Sequence, residues 1–468
     1  MANVKVFRSY LKTPFLILLI VEVCILFFSN YSAAYLRFYG TPGSFEANVD
    51  SLWAGSAAVA IITPIAMLAT GLYQGQIREG LAGILLRIMI GFFAAGVIIN
   101  IGFYLFPLLP LSRGITAIAY IQSFFIIGTM RAVFIEAVDL SIFKKRILVY
   151  GAGDSAAHID SKLRRRSDRR GFDIVGYVLI PKQLQKVDTS KLVTLNGALL
   201  DYVQANKIDE VVVATSEMDK ELKVDELVNC KLNGIIILDI LSFFEREAGQ
   251  IRIDIMDPTW LVTSEGFYQS RFRDVFKRVF DITVSLLIFL VTLPFMILAV
   301  IAIWIEDGFK APIFYSQTRV GRSGKHYEVY KFRSMRVDAE KVGEAVWATK
   351  NDSRVTRVGS VMRVTRVDEF PQIWNVLKGD MSFVGPRPER PQFVKQLATE
   401  IPYYNERHIV KPGVTGWAQL LYPYGSSVND SYQKQLYDMY YVKNHSVFLD
   451  CLILLQTVEV VLFGKGAR

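Results

Sequence analysis

Cysteine and histidine are scarce. Three cysteines, Cys24, Cys230 and Cys451, are scattered along 468 residues, and the four histidines, His158, His326, His408 and His445, have no ligand-like spacing. This excludes a disulfide framework and argues against a zinc site. No nucleic-acid-binding signature accompanies the formal net charge of +9, so nucleic acid is not an expected partner. The polarity of an ordinary soluble enzyme is also missing: 52% of the residues are hydrophobic and the mean hydropathy is +0.30. The chain reads as membrane segments plus one or two soluble domains. Its positive charge suits anionic lipid headgroups and anionic substrates.

Four apolar runs lie at about 14–36, 51–72, 84–106 and 113–135. Each is long enough to cross roughly 30 Å of hydrocarbon. Basic residues stand before the first run (Lys5, Arg8, Lys12), between the second and third (Arg78, Arg87), and after the fourth (Lys144, Lys145, Arg146). The positive-inside rule puts both ends of this four-helix unit, residues 1–143, in the cytoplasm. Glu22 is costly inside the first run and should face another helix or an interface.

Residues 144–265 read as a doubly wound α/β domain, with strands near 146–150, 173–180, 209–214 and 234–238. Tyr150-Gly-Ala-Gly-Asp-Ser-Ala-Ala157 is a glycine turn of the dinucleotide type, which makes Gly151 and Gly153 candidate nucleotide-binding positions. The acid expected at the end of the second strand is missing, because Ile174–Ile180 runs straight into Pro181. Arg164, Arg165, Arg166, Arg169 and Arg170 are either a phosphate-binding group or a solvated charge run. A membrane-tethered NAD-dependent enzyme acting on nucleotide sugars therefore stays open, as does a regulatory or assembly role.

A fifth apolar run, 282–305, has basic flanks on both sides: Arg271, Arg273, Lys277 and Arg278 before it, Lys310, Arg319, Arg322 and Lys325 after it. Pro294 sits mid-run. The charges favour one face for both ends, so the run predicts a helix–break–helix that enters and leaves by the same leaflet. A spanning helix is the alternative.

Within 266–468, the stretch Arg363–Gly379 reads as a short helix. Pro371 fits only a first turn, which places Asp368 at or near the N-cap and Glu369 just inside. Phe370, Ile373, Trp374 and Leu377 form the expected buried stripe, and Gly379 ends it. Two readings are open for the acid pair: a capping acid with neighbouring salt bridges, or a carboxylate nucleophile beside a divalent metal. Lys331-Phe-Arg333 upstream, and Gly385-Pro-Arg-Pro388 and Lys411-Pro-Gly-Val-Thr-Gly416 downstream, supply cations suited to phosphate. Lys331, Arg333, Arg354, Arg357, Arg363, Arg366, Arg387 and Lys411 are the candidates.

The run Arg366–Pro388 resembles the signature of the monotopic phosphoglycosyl transferases, also called the bacterial sugar transferase family. The likeness covers roughly Arg271–Arg468. Pro388-Glu-Arg-Pro391, Ile401-Pro-Tyr-Tyr404 and Gly464–Arg468 are similar to its exosortase-associated exopolysaccharide branch. The resemblance implies a membrane protein of α and α/β class: a four-helix transmembrane unit, a Rossmann-like domain, and a mainly α-helical catalytic domain with a re-entrant helix. It further implies transfer of a hexose-1-phosphate from a UDP-sugar to undecaprenyl phosphate, releasing UMP and starting exopolysaccharide or O-antigen synthesis. Asp368 would be the nucleophile. Asp368 and Glu369 would hold Mg²⁺, and Lys331, Arg333, Arg363, Arg366 and Arg387 would hold substrate phosphates; Asp380 is a further candidate. The implied setting is the bacterial inner membrane, with the catalytic domain on the cytoplasmic face, lipids as neighbours and a homodimer as a possible assembly. A non-catalytic assembly scaffold is the remaining alternative.

Overall fold

The computed structural model describes residues 3–6, 9–39, 45, 49, 52–70, 72–73, 81–105, 113–139, 144–163, 169, 171–181, 183–195, 197–215, 223–267, 270–309, 311–336, 354–422, 425 and 427–462. Arg8, Arg78, Arg164, Arg165, Arg166, Arg170, Lys310 and Gly464–Arg468 lie outside them. The chain divides into two compact units, Met1–Val6 with Tyr10–Ala248, and Phe7–Ser9 with Gly249–Arg468.

In the first unit, α1 (Thr13–Arg37), α2 (Leu52–Ala69), α3 (Leu81–Leu105) and α4 (Arg113–Asp139) take up the four apolar runs. All four are long and apolar enough to cross a membrane. Glu22 is fully buried and grips Arg131 of α4, whose second terminal nitrogen donates to the same carboxylate at 2.8 Å. The Tyr73 hydroxyl donates to Glu22, and Arg131 also donates to the Leu72 carbonyl at 2.8 Å. A charge in a membrane helix is tolerable when paired in this way.

The same unit holds a five-stranded parallel sheet: β1 (Lys145–Tyr150), β2 (Phe172–Val178), β3 (Leu192–Val193), β4 (Glu210–Val213) and β5 (Ile236–Asp239). The spatial order is β3-β2-β1-β4-β5, so the sheet reverses its winding between β1 and β4 as in a Rossmann fold. The helices are α5 (Asp154–Lys162), α6 (Leu199–Ala205), α7 (Val224–Leu232) and α8 (Ile240–Ala248). The two-residue β3 gave no legible run in the sequence.

The second unit begins at Gly249. The Trp417 indole donates to the Gly249 carbonyl at 2.9 Å, and the Ile251 N–H to Leu436 at 3.0 Å. After α9 (Pro258–Thr263), α10 runs unbroken from Arg271 to Asp307 with Pro294 inside it. The break expected at Pro294 is not a helix end. One proline removes one backbone hydrogen bond, which bends a helix without ending it. Both ends of α10 are tied into the unit. At its start, Lys277 bonds Asp450, Tyr441 and the Val384 carbonyl, and Asp281 accepts from the Ser382 hydroxyl at 2.8 Å. At its end, Glu306 accepts from the Arg357 and Val358 N–H groups, and Asp307 pairs with Arg333. Between them, apolar side chains are turned outward: Leu290 and Val291 are 68% and 69% exposed.

An antiparallel hairpin follows, β6 (Phe314–Val320) with β7 (His326–Phe332). Then come α11 (Arg357–Thr365), a 3₁₀ turn (Val367–Glu369), α12 (Gln372–Lys378), β8 (Ser382–Val384), α13 (Pro391–Glu400), β9 (Gly413–Thr415), α14 (Trp417–Leu421), α15 (Val428–Asn444) and α16 (Val447–Leu462). α16 buries Leu449, Asp450 and Ile453, so this face of the last helix belongs to the core.

Candidate active site

The expected helix around Asp368 differs in detail. Arg366 ends α11 in the left-handed region (φ 60°), an uncommon conformation for a side chain of its size. The strain is on the order of 1 kcal/mol. The reversal leads into the 3₁₀ turn that carries Asp368 and Glu369, and Pro371 is the N-cap of α12. Asp368 is thus three residues ahead of the N-cap. Trp374 is 63% exposed rather than buried. Asn375 takes the inward place because it bonds the edge of β7: its carbonyl oxygen accepts from the Tyr330 N–H at 3.0 Å, and its amide donates to the Glu328 carbonyl at 2.6 Å. Gly379 (φ 99°) caps the helix as the sequence indicates.

This cross-link sets β7 beside the turn, and Lys331 of β7 reaches Glu369 at 2.7 Å. Arg366 and Arg387 stand 3.9 Å from the same Glu369 oxygen. Arg387 arrives by a second device. β8 and β9 pair in parallel, with Gly385 N–H on the Thr415 carbonyl and Gly413 N–H on the Pro386 carbonyl, both at 2.9 Å. A Cβ on Gly413 would fall 2.1 Å from the Gly385 nitrogen. The two glycine-containing motifs, far apart in sequence, therefore need glycine to meet backbone to backbone. The Arg407 side chain donates to the Arg387 carbonyl at 3.0 Å and holds the loop.

The two acids are driven apart. Burial pushes Asp368 up to about 6, with Glu369 adding to it, against the pull of Lys331, Arg366 and Arg363. Glu369 would also rise by burial, but Lys331, Arg387 and Arg366 outweigh it and take it down to about 2. Asp368 is 7% exposed, and its Oδ1 has no hydrogen-bond partner among the described residues. A buried, unpartnered carboxylate oxygen ringed by cations is a seat for something brought from outside.

Of the phosphate-binding candidates, Lys331, Arg363, Arg366 and Arg387 gather around the acids. Arg333 instead pairs with Asp307, and Arg357 lends only its N–H, to Glu306. The Arg354 carbonyl accepts from the Arg336 N–H. Lys411 faces Arg278 and Asp281, and Asp380 pairs with Lys378 at 2.9 Å. Gln419, 3.5 Å from Arg387, went unread in the sequence because a lone glutamine carries no signal.

The glycine turn of the parallel sheet is filled from within. The Ala152 N–H donates to the Gln183 side chain at 2.8 Å, and a Cβ on Gly153 would lie 2.9 Å from that side chain. Gly151 (φ 124°) packs against the end of β4, where a Cβ would meet the Ala214 carbonyl oxygen at 2.3 Å. Both glycines have structural reasons. Arg169 pairs with Asp160 at 2.7 Å.

A membrane protein with a Rossmann-like sheet and a cation-lined pair of unlike carboxylates is, in class, a membrane-bound enzyme for polyanionic substrates. Residues 272–464 match the family model described as Bacterial sugar transferase. The chain is 31% identical over 334 residues to the UDP-glucose:undecaprenyl-phosphate glucose-1-phosphate transferase of Xanthomonas campestris pv. campestris, covering 69% of this chain and 68% of that one. With the enzyme of the same name from Escherichia coli (strain K12) it shares 33% over 332 residues, 69% of each chain. With the UDP-N-acetylgalactosamine-undecaprenyl-phosphate N-acetylgalactosaminephosphotransferase of Aeromonas hydrophila it shares 40% over 242 residues, 52% of this chain and only 56% of that protein. The chain belongs to the bacterial sugar transferase family and is a phosphoglycosyl transferase.

Proposed function

We propose that the chain transfers a hexose-1-phosphate from a UDP-sugar to undecaprenyl phosphate through an aspartyl intermediate, the first step of exopolysaccharide or O-antigen repeat synthesis. The observation that carries this is the buried Asp368 with its unpartnered Oδ1, set beside a permanently charged Glu369 and ringed by Lys331, Arg363, Arg366 and Arg387.

An Asp368 oxygen attacks the β-phosphorus of the donor. The bond from that phosphorus to the bridging oxygen breaks, and UMP leaves with the electron pair. A phosphate oxygen of undecaprenyl phosphate then attacks the same phosphorus. The Asp368–phosphorus bond breaks, and the carboxylate is restored. Lys331 and the arginines offset the charge of the diphosphate. Glu369 stays ionised throughout and keeps Lys331 aimed at the turn.

Asp368 and Glu369 fit Mg²⁺, which takes one or two carboxylates and fills its shell with water and phosphate oxygens. The unpartnered Oδ1 is the atom that would hold it. When bound, the ion would neutralise the diphosphate and ease departure of the leaving group.

The two anchored ends of α10 support a helix that dips into one leaflet and returns. We place the protein in the bacterial inner membrane with this unit on the cytoplasmic face, where both substrates meet. The test is UMP release from a panel of UDP-sugars with undecaprenyl phosphate. Release from one donor, lost in Asp368→Asn, is expected; full activity in that variant rejects the mechanism.

A further inference from the structure

A charged lysine is buried near the start of α10. Lys277 has three ammonium donors to place. One goes to Asp450 of α16 at 2.5 Å, and the others go to the Tyr441 hydroxyl of α15 and the Val384 carbonyl, both at 3.2 Å. Tyr441 shares its one proton between the second Asp450 oxygen at 2.7 Å and the same Val384 carbonyl at 2.9 Å. Tyr441 and Asp450 are buried as well. One turn further along α10, Asp281 accepts from the Ser382 hydroxyl at 2.8 Å and from the Phe383 N–H at 3.1 Å. Helix side chains therefore hold all three residues of β8. Its two-stranded ribbon with β9 is marginal by itself. A buried ion pair is often no more stabilising than apolar side chains of the same volume, but its hydrogen bonds have direction. Here they converge on one carbonyl. Val384 stands three residues ahead of Arg387. Between them Gly385 is tightly packed: a Cβ there would lie 2.3 Å from the Lys411 carbonyl oxygen. Pro386 and Pro388 flank Arg387 and fix their own φ angles. Few soft torsions remain, so a shift at Val384 is carried on to Arg387, whose guanidinium stands 3.9 Å from Glu369.

We propose that Lys277, Tyr441 and Asp450 are positioning residues for the transfer. They act through the Val384 carbonyl, which sets where Arg387 meets the donor diphosphate. The inference rests on the reading of Arg387 as a phosphate-binding residue given above. Phosphoryl transfer draws mainly on well-placed cations, and misplacing such a group by about 1 Å costs turnover heavily. A network that only held the fold together would leave every folded molecule fully active.

The full-length protein in membranes is assayed for UMP release, with kcat/KM for the UDP-sugar expressed per folded molecule. Tyr441→Phe removes one hydroxyl and keeps the ring. It is expected to lower kcat/KM about tenfold, the size of one lost buried hydrogen bond. In an Arg387→Gln background the same change should cost less than about twofold, because no guanidinium remains to be placed. Lys277→Met combined with Asp450→Leu removes both charges together. This pair should melt at or above the wild-type temperature yet lose about tenfold or more in kcat/KM. A Tyr441→Phe enzyme as active as the wild type, or equally impaired in both backgrounds, overturns the positioning role. So does an apolar pair with wild-type activity; if that pair does not fold, the Tyr441→Phe comparison decides alone. Wild-type protein that releases no UMP from any donor removes the activity and the positioning role together. An active wild type indifferent to Arg387→Gln removes the phosphate-binding reading of Arg387 and this role with it. An active wild type that needs Arg387 but loses equally to Tyr441→Phe in both backgrounds removes the positioning role alone.

Discussion

The chain carries two turns that sequence alone marks as binding sites, and they end differently. At Gly151–Gly153 the polar backbone is satisfied by Gln183, and each glycine is explained by a neighbour its Cβ would strike. At Asp368–Glu369 the local backbone is strained, one carboxylate oxygen is buried without a partner among the described residues, and four cations face two acids. A motif reports geometry. What its polar atoms still need reports whether that geometry is used.

The strongest way to break this contrast is Asp368→Asn. Loss of the nucleophile is expected to cut turnover by about 10⁴-fold or more and to abolish any phosphosugar adduct on the protein, read by UMP release and by mass of the intact chain. The same change is expected to stabilise the fold. A carboxyl whose folded pKa is raised costs stability once the pH exceeds its unfolded value, and the full cost is present above about pH 6. At pH 7 the variant should therefore gain on the order of 2 kcal/mol, seen as a higher melting temperature. A lower one would mean that Asp368 is a structural cap.

Lys331→Met is expected to be next in size. Lys331 is the main group lowering Asp368, so its removal lets burial and Glu369 push that carboxyl further above about 6. The ionised nucleophile is lost as pH falls, so the acid limb of the pH–rate profile should move to higher pH by roughly one unit. At pH 7 kcat/KM should drop about tenfold or more. An unmoved acid limb would separate the limb from Asp368.

The membrane helices and the glycine turn were legible because length and punctuation are local properties. The acid pair was legible as chemistry but not as geometry. A stripe at helical spacing puts Trp374 inside, whereas the β7 edge demanded hydrogen bonds that only Asn375 could give. The sequence asked Glu22 to face another helix, and it does, but its partner Arg131 lies on a helix that the rest of the bundle separates from it along the chain, so the partner could not be named. Pro294 was legible as a point of weakness but not as a helix end, since one continuous helix runs through it.

The smallest effect is expected at the other turn, from Gln183→Gly. The side chain that takes the Ala152 N–H is removed, and water replaces it at a cost of about 1 kcal/mol. UMP release should stay within about twofold, because nothing in the transfer chemistry runs through this amide. Titration of the full-length wild type with NAD, ADP or a UDP-sugar should produce no response from the sheet domain, because Gln183 already occupies the space beside Gly153 and no acid ends β2 to hold a ribose. If Gln183→Gly gains nucleotide binding that the wild type lacks, the turn is an anion seat closed by its own chain. If the wild type already binds a dinucleotide tightly, the contrast between a filled turn and an open one fails.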